Sequence, residues 1–249
     1  MTICVGLLCT GGAVLASDSQ SEFERGVPVK RLGANKLLKG DSFVVAGAGL
    51  IAHVKNTFDT ISAEIEKEVR QRQDQPLSRD ECVTLVEKTV TALHKYYNID
   101  RAQFLGVDEK GWFAPLLLFA YQAPAGVILL TVHPEGLVEE VDDYATIGSG
   151  AAYAELLLKA LYSNDLDTNA AVNIAIYVIS EVKDIDPNCG GPVQVALVSH
   201  EKLQPLSRDD IEDRMESFRK PLDAVRNTLI PKILEGKINA EDITRLGTG

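Results

Sequence analysis

The chain has 249 residues and 45% hydrophobic content, enough for a continuous core, and no linker-like stretch divides it. Its formal net charge of −11 argues against nucleic acid or an anionic membrane surface as a partner, because both require a basic patch. Cys4, Cys9, Cys82 and Cys189 form no CxxC pair, His53, His94, His133 and His200 have no metal-ligand spacing, and no apolar run reaches the ~20 residues of a spanning helix. These features predict free thiols in a reducing cytoplasm, no leader sequence, and neither metal nor cofactor.

The first stretch, Met1 to Asp18, is MTICVGLLCTGGAVLASD. Residues 3–9 and 13–17 are almost wholly apolar, so both faces of two paired strands should be covered. If Thr10-Gly11-Gly12 is a three-residue loop, Asp18 stands opposite Cys4 and shares a face with Thr2, at a diagonal distance of about 7–8 Å between Cα atoms. A two-residue loop would shift the register by one and turn Asp18 to the other face. With the longer loop, Thr2 and Asp18 are too far apart to touch, and a third group must bridge them. A Met-Thr start is ordinary by itself. It acquires meaning only because removal of Met1 would give Thr2 a free α-amine, and an amine with an unperturbed pKa near ~8 can act as base for its own hydroxyl.

Residues 19–35 are polar, with two glycines and a proline, and read as an exposed loop with at most short strand pieces. Lys36-Leu37-Leu38 follows, then the apolar strand Phe43–Ala46. The run Gly47-Ala48-Gly49-Leu50-Ile51-Ala52 matches a dinucleotide fingerprint, G-x-G-x-x-A. A Rossmann unit would then need a second parallel strand and a ribose-binding acid about 20 residues on. Instead, Leu50, Val54, Phe58, Ile61, Ile65 and Val69 continue one helix over residues 50–72. Ser78-Arg79-Asp80-Glu81 is an N-cap signature for a second helix ending near Tyr97, so residues 50–97 form a helical hairpin.

Strands resume at 115–121, 123–132 and 136–141. Tyr144–Ile147 leads through Gly148-Ser149-Gly150 into a helix, and Asp165–Thr168 caps another from Ala170 to about Lys183. Asp186-Pro187-Asn188-Cys189-Gly190-Gly191 forms a turn before a final strand, Val193–Val198. Segregated runs of strands and helices predict an α+β domain of antiparallel sheets covered by helices. Residues 207–235 read as a charged amphipathic helix that Pro221 and Pro231 kink or end.

Taken in this order, the segments TICVGLLCTGGAVLASDSQ, ANKLLK, FVVAGAG, YATIGSGAAYAE and DPNCGGPVQVALVS resemble the N-terminal-nucleophile hydrolases of the proteasome type: proteasome β-subunits, the HslV peptidase and their bacterial homologues. The resemblance covers roughly residues 2–200 and implies a four-layer α-β-β-α sandwich; residues 201–249 lie beyond it as a C-terminal helical extension, free to pack on the domain or, as a hypothesis, to wrap a neighbouring subunit. It makes Thr2 the nucleophile, Asp18 the acid that positions Lys36, and Lys36 the missing bridge, with Lys30 and Lys39 as alternatives for that lysine. It assigns the oxyanion donor to the Gly47 N–H, the orientation of the Thr2 amine and hydroxyl to Ser149 and Asp186, and a place in the first specificity pocket to Val45. Cys189 stands where the family more often has serine, and its thiol is a weaker hydrogen-bonding group.

Residue by residue, simpler readings stand beside these: Lys36 as a surface lysine, Ser149 as an N-cap, Asp186 as a turn former. Asp18 has the least room for one, since an acid closing an apolar strand needs a partner. The implied protein is a threonine-type peptidase that becomes active once Met1 is removed, with no long propeptide. It cleaves peptides or unfolded proteins inside a homo-oligomeric ring or stacked rings, with the 50–97 hairpin making ring-to-ring contacts and room for an ATPase partner. Its rivals are a non-catalytic structural subunit of the same fold and a related amidase or peptide ligase.

Overall fold

A computed structural model of the chain describes residues 2–25, 27–105 and 113–238. These residues fall into two compact units that divide between Arg208 and Asp209. The first unit is built on two five-stranded antiparallel sheets. One has the order β10-β1-β2-β11-β12, from strands Ile3–Cys9 (β1), Gly12–Ser17 (β2), Tyr144–Gly148 (β10), Gln194–Ser199 (β11) and Leu203–Pro205 (β12). The other is β5-β6-β7-β8-β9, from Leu37–Lys39 (β5), Phe43–Ala48 (β6), Leu116–Ala123 (β7), Gly126–Val132 (β8) and Val138–Glu140 (β9).

Alternation along the strands builds two cores. Cys4, Leu15, Val44, Ala46, Leu118, Ala120, Leu129 and Val198 meet between the sheets. The other face of the second sheet, Phe43, Val45, Leu117, Phe119 and Tyr121, packs with Val54, Ile61, Ile65, Val86 and Val90 of helices α1 (Ile51–Gln71) and α2 (Arg79–Lys95). Each buried Val, Leu, Ile or Phe among them stabilises the fold by about 1.5–3 kcal/mol before conformational entropy is subtracted. Helix α5 (Thr168–Ile185) covers β1 and β2 on the outer face of the first sheet, and α4 (Ala151–Leu161) lies beside it. The result is the expected α-β-β-α layering.

Local signals explain most boundaries. Ser78 and Glu81 form a reciprocal capping box at the start of α2. Asp167 accepts the Ala170 N–H at 2.7 Å to open α5. After α2 the chain does not stop near Tyr97 but runs through a π-helical turn, Tyr96–Asp100, into α3 (Arg101–Leu105). The buried Asn98 side chain pairs with both the Phe113 N–H (2.8 Å) and its carbonyl (2.9 Å), which holds that widened turn. The 19–35 stretch, read as a loop with at most short strand pieces, carries two five-residue strands that pair with each other, β3 (Ser21–Arg25) and β4 (Val27–Arg31). Of the nucleotide-like glycines, Gly47 lies in β6 and Gly49 between β6 and α1, but β6 pairs antiparallel on both sides, so no βαβ unit exists there. In the second unit α6 (Arg208–Ala224) runs through Pro221 instead of ending at it. Pro231 sits in the first turn of α7 (Ile230–Leu234), where a missing N–H matters least.

One expectation fails in an instructive way. The hairpin register pairs Cys9 with Gly12 and Cys4 with Ser17, so the loop is two residues, Thr10 and Gly11, not three. Gly12 belongs to the strand: it has φ +140°, and a Cβ there would strike the Val198 carbonyl of β11. Its glycine serves close packing in the sheet, and the turn does not use it.

Candidate active site

By that register Asp18 stands opposite Ile3 and should face away from Thr2. It does not, because β2 ends at Ser17. The Asp18 N–H still donates to the Ile3 carbonyl at 3.1 Å, but the Ile3 N–H is taken by the Asp18 side chain (Oδ1, 3.0 Å). The carboxylate therefore curls back over the strand end, and strand parity no longer governs it. Its second oxygen accepts the N–H groups of Gln20 (3.2 Å) and Gly190 (3.0 Å). Asp18 is fully buried, and four donors satisfy it as a buried charge must be satisfied.

The fourth donor is Lys36. Its Nζ lies 2.7 Å from Asp18 Oδ1 and 2.8 Å from Thr2 Oγ1, and only 3% of the side chain is exposed. Lys36 enters from the other sheet, one residue before β5, and spans the gap between the sheets. Lys39 is exposed on β5, and the Lys30 side chain lies outside the described residues. A buried ammonium this close to a hydroxyl favours the alkoxide over the neutral form, the direction that makes threonine a better nucleophile.

The other side of Thr2 is held by the 148–150 turn. The Thr2 nitrogen donates to Ser149 Oγ at 3.3 Å, Ser149 Oγ donates to the Thr2 carbonyl at 3.4 Å, and the Gly150 N–H reaches the same carbonyl at 3.3 Å. Gly148 is required: its φ is +101°, and a Cβ would collide with the Thr2 carbonyl. Behind Ser149, Cys189 Sγ stands 3.9 Å from Ser149 Oγ and donates to Asp186 Oδ2 at 3.5 Å. Burial pushes the Cys189 thiol up to about 12, with the Asp18 and Asp186 charges adding to it, so it stays protonated and acts as a donor. Burial alone would raise the Asp186 carboxyl. Hydrogen bonds from the Asn188 N–H, Cys189, Ser149 and the Asn188 amide outweigh it and hold the group below the usual carboxylate range.

Two of the sequence-derived assignments sit differently. The Gly47 N–H, expected as the oxyanion donor, donates to the Lys36 carbonyl at 3.2 Å, one step past the Leu37–Ala46 pair that ends the β5–β6 ladder. Val45, expected in a specificity pocket, is fully buried in the core beneath α1 and α2. Sequence reasoning missed Gln20, Gly190 and Gln194 as supports of the site. Only the glycines of the DPNCGGP turn hinted that a backbone approaches closely there. Among the described residues no group of His, Cys, Asp and Glu is arranged to hold a metal ion, and no helix is long and apolar enough to cross a membrane.

Two antiparallel sheets packed between helices, with the second residue of the chain lodged against a buried lysine, are the architecture of the proteasome-type subunits. The family model described as proteasome subunit matches residues 2–198, and the chain belongs to that family. It is 24% identical to a proteasome subunit beta of Methanococcus maripaludis (strain C7 / ATCC BAA-1331), over 88% of this chain and 93% of the relative. A proteasome subunit beta of Methanothermobacter thermautotrophicus is 25% identical over 87% of this chain and 95% of its own length. A proteasome subunit beta 1 of Thermococcus sibiricus is 26% identical, with 87% and 96% covered.

Proposed function

We propose that this chain is a catalytic, threonine-type peptidase subunit in which Thr2, freed by removal of Met1, is the nucleophile. The observation that carries the reading is the single ammonium of Lys36 bridging Thr2 Oγ1 and a fully buried Asp18. A lysine buried between two sheets serves stability poorly when an apolar pair would fill the same space, and its hydrogen bond to a threonine hydroxyl has an obvious chemical use.

In this reading the Thr2 α-amine takes the Oγ1 proton as Oγ1 attacks the scissile carbonyl. Lys36 stabilises the negative charge that develops on Oγ1. Collapse of the tetrahedral intermediate breaks the C–N bond, and the α-amine returns the proton to the leaving amine. A water, deprotonated by the same amine, then hydrolyses the Thr2 ester. Ser149, with Cys189 and Asp186 behind it, holds the amine in place. For Gly47 to stabilise the oxyanion, its N–H must give up or share the Lys36 carbonyl when substrate binds.

We further assign the chain to homo-oligomeric rings in the cytoplasm that enclose the site and admit peptides or unfolded protein. The α1–α2 hairpin is the candidate ring contact. A groove of about 740 Å³ between its helices, lined by Leu77, Leu85 and Leu93 and bordered by Glu64, Arg72, Glu81 and Lys88, offers an apolar floor and charged walls for it. The paired Gly47 N–H favours the second reading, a ring subunit of the same fold without peptidase activity. An intact mass that verifies loss of Met1, followed by a fluorogenic peptide panel and a threonine-directed covalent inhibitor, separates the two. The peptidase reading expects turnover and a Thr2 adduct, both abolished in Thr2→Ala; a wild type as inert as Thr2→Ala sinks it.

A further inference from the structure

Lys36 lies outside regular strand, yet its Nζ meets two partners at 2.7 and 2.8 Å, so its backbone must be held closely. One hold comes from its own sheet, through the Gly47 N–H on its carbonyl. The other comes from the opposite sheet. Gln194, first residue of β11 and register partner of Ser17, extends its amide across the gap. Its Oε1 accepts the Lys36 N–H at 2.9 Å and the Ser17 hydroxyl at 3.5 Å, and its Nε2 donates to the Ala34 carbonyl at 2.9 Å. The amide orientation is fixed by these partners, because a flip would set donor against donor and acceptor against acceptor.

At this spot a side chain takes the place of the ladder. In a continued β5–β6 ladder the Lys36 N–H would pair with the Gly47 carbonyl, but that carbonyl instead receives the Cys4 thiol at 3.7 Å. A two-point amide clasp fixes both the position and the rotation of the 34–36 segment, which one hydrogen bond cannot do. Thr2, Asp18 and Ser17 belong to the same sheet edge that carries Gln194. Gln194 thus sets Lys36 against the frame that holds its two targets.

We propose that Gln194 is a positioning residue for the threonine site: its amide clasps the Ala34–Lys36 backbone and thereby sets the reach of Lys36 Nζ to Thr2 and Asp18. The inference rests on the reading of Thr2 and Lys36 as the reacting centre. It gives Gln194 no contact with substrate.

The test uses the assembled, Met1-free protein with two variants. Gln194→Met keeps the length and removes the amide's bonds to the Lys36 N–H and the Ala34 carbonyl together with its contact to the Ser17 hydroxyl. A shift of about 1 Å at a reacting group costs about 10²-fold in rate, so kcat should fall by roughly that factor while KM stays within about threefold. Gln194→Glu keeps the acceptor for Lys36 but presents a carboxylate oxygen to the Ala34 carbonyl, and protonation restores the missing donor. Its activity relative to wild type should therefore rise as pH falls from 8 toward the carboxyl range near ~4.3, which general destabilisation would not produce. A third readout needs no activity: reductive methylation with mass spectrometry, scaled to the exposed Lys67. Lys36 should be protected in wild type and label at least about tenfold faster in Gln194→Met. Equal protection of Lys36 in both proteins, or a Gln194→Glu ratio flat with pH, overturns the proposal. An inert wild type would instead overturn the peptidase reading, and the labelling experiment would still decide the role of Gln194.

Discussion

Replacing Lys36 with methionine isolates the central ion pair. Lys36 and Asp18 are 3% and 0% exposed and 2.7 Å apart, so the variant leaves a carboxylate in the core without its countercharge. Breaking one partner of a buried pair costs about 3–5 kcal/mol. Asp18 keeps three backbone donors, from Ile3, Gln20 and Gly190, which places the expected loss at the lower end, about 3 kcal/mol. For a chain of this size that corresponds to a drop in Tm of roughly 6–12 °C at pH 7. Circular dichroism melts of wild type, Lys36→Met, Asp18→Asn and the double variant form a mutant cycle. The double variant removes both charges, so it should recover at least about 1.5 kcal/mol of the summed single losses. Peptidase activity behaves differently: each single change should lower kcat by about 10²–10⁴, and the double variant should be no more active than Lys36→Met, since both lack the ammonium at Thr2. A Tm within about 2 °C of wild type for Lys36→Met, together with a coupling below about 0.5 kcal/mol, would refute the argument that this pair organises the site.

Gly148→Ala should destabilise by about 3 kcal/mol through backbone strain at φ +101° and collision with the Thr2 carbonyl. Because the collision falls on Thr2, its acylation rate should drop by about 10²-fold; a variant with wild-type Tm and labelling contradicts this. The depressed pKa of Asp186 means that its contribution to stability is present above the ordinary carboxyl value near ~3.9 and is lost as pH falls through the lower folded value. The Tm gap between wild type and Asp186→Asn should accordingly be widest near neutral pH and close on acidification, and a gap constant from pH 7 to 3 counts against the assignment. Burial pushes the Cys82 and Cys189 thiols up to about 12, so at pH 8 their thiolate fraction is about 10³-fold below that of a free cysteine. Iodoacetamide should leave both unmodified in native protein and label both in guanidinium, as read by peptide mass spectrometry; native labelling at the denatured rate would show the thiols accessible.

The sequence by itself determined the types of the long core elements, because their signals are local, but not β3, β4 or the π-helical turn into α3. Continuous apolar runs marked β1, β2 and β6 as doubly covered strands, 3.6-residue spacing marked α1 and α2, and Ser78 with Glu81 marked a helix start that the backbone adopts. The sequence also required a buried partner for Asp18, since an acid at the end of an apolar strand needs one wherever it lies. Tertiary structure decided what depends on two distant segments meeting. Gly12 reads as turn residue until β11 supplies the carbonyl that excludes its side chain. Asp18 shares a face with Thr2 in the sequence reading only through a three-residue loop; with the actual two-residue register it reaches Thr2's side because the early end of β2 frees its carboxylate from strand alternation. Gly47 carries a donor in any sequence reading, and only the ladder to Lys36 shows that donor occupied. Gln194 offers no signal at all in one dimension, because an amide clasp across two sheets depends on residues 34, 36 and 194 arriving at one place. Periodicity and capping lie within a few residues of chain, whereas hydrogen bonds between sheets follow from packing, and packing is set by the whole core at once.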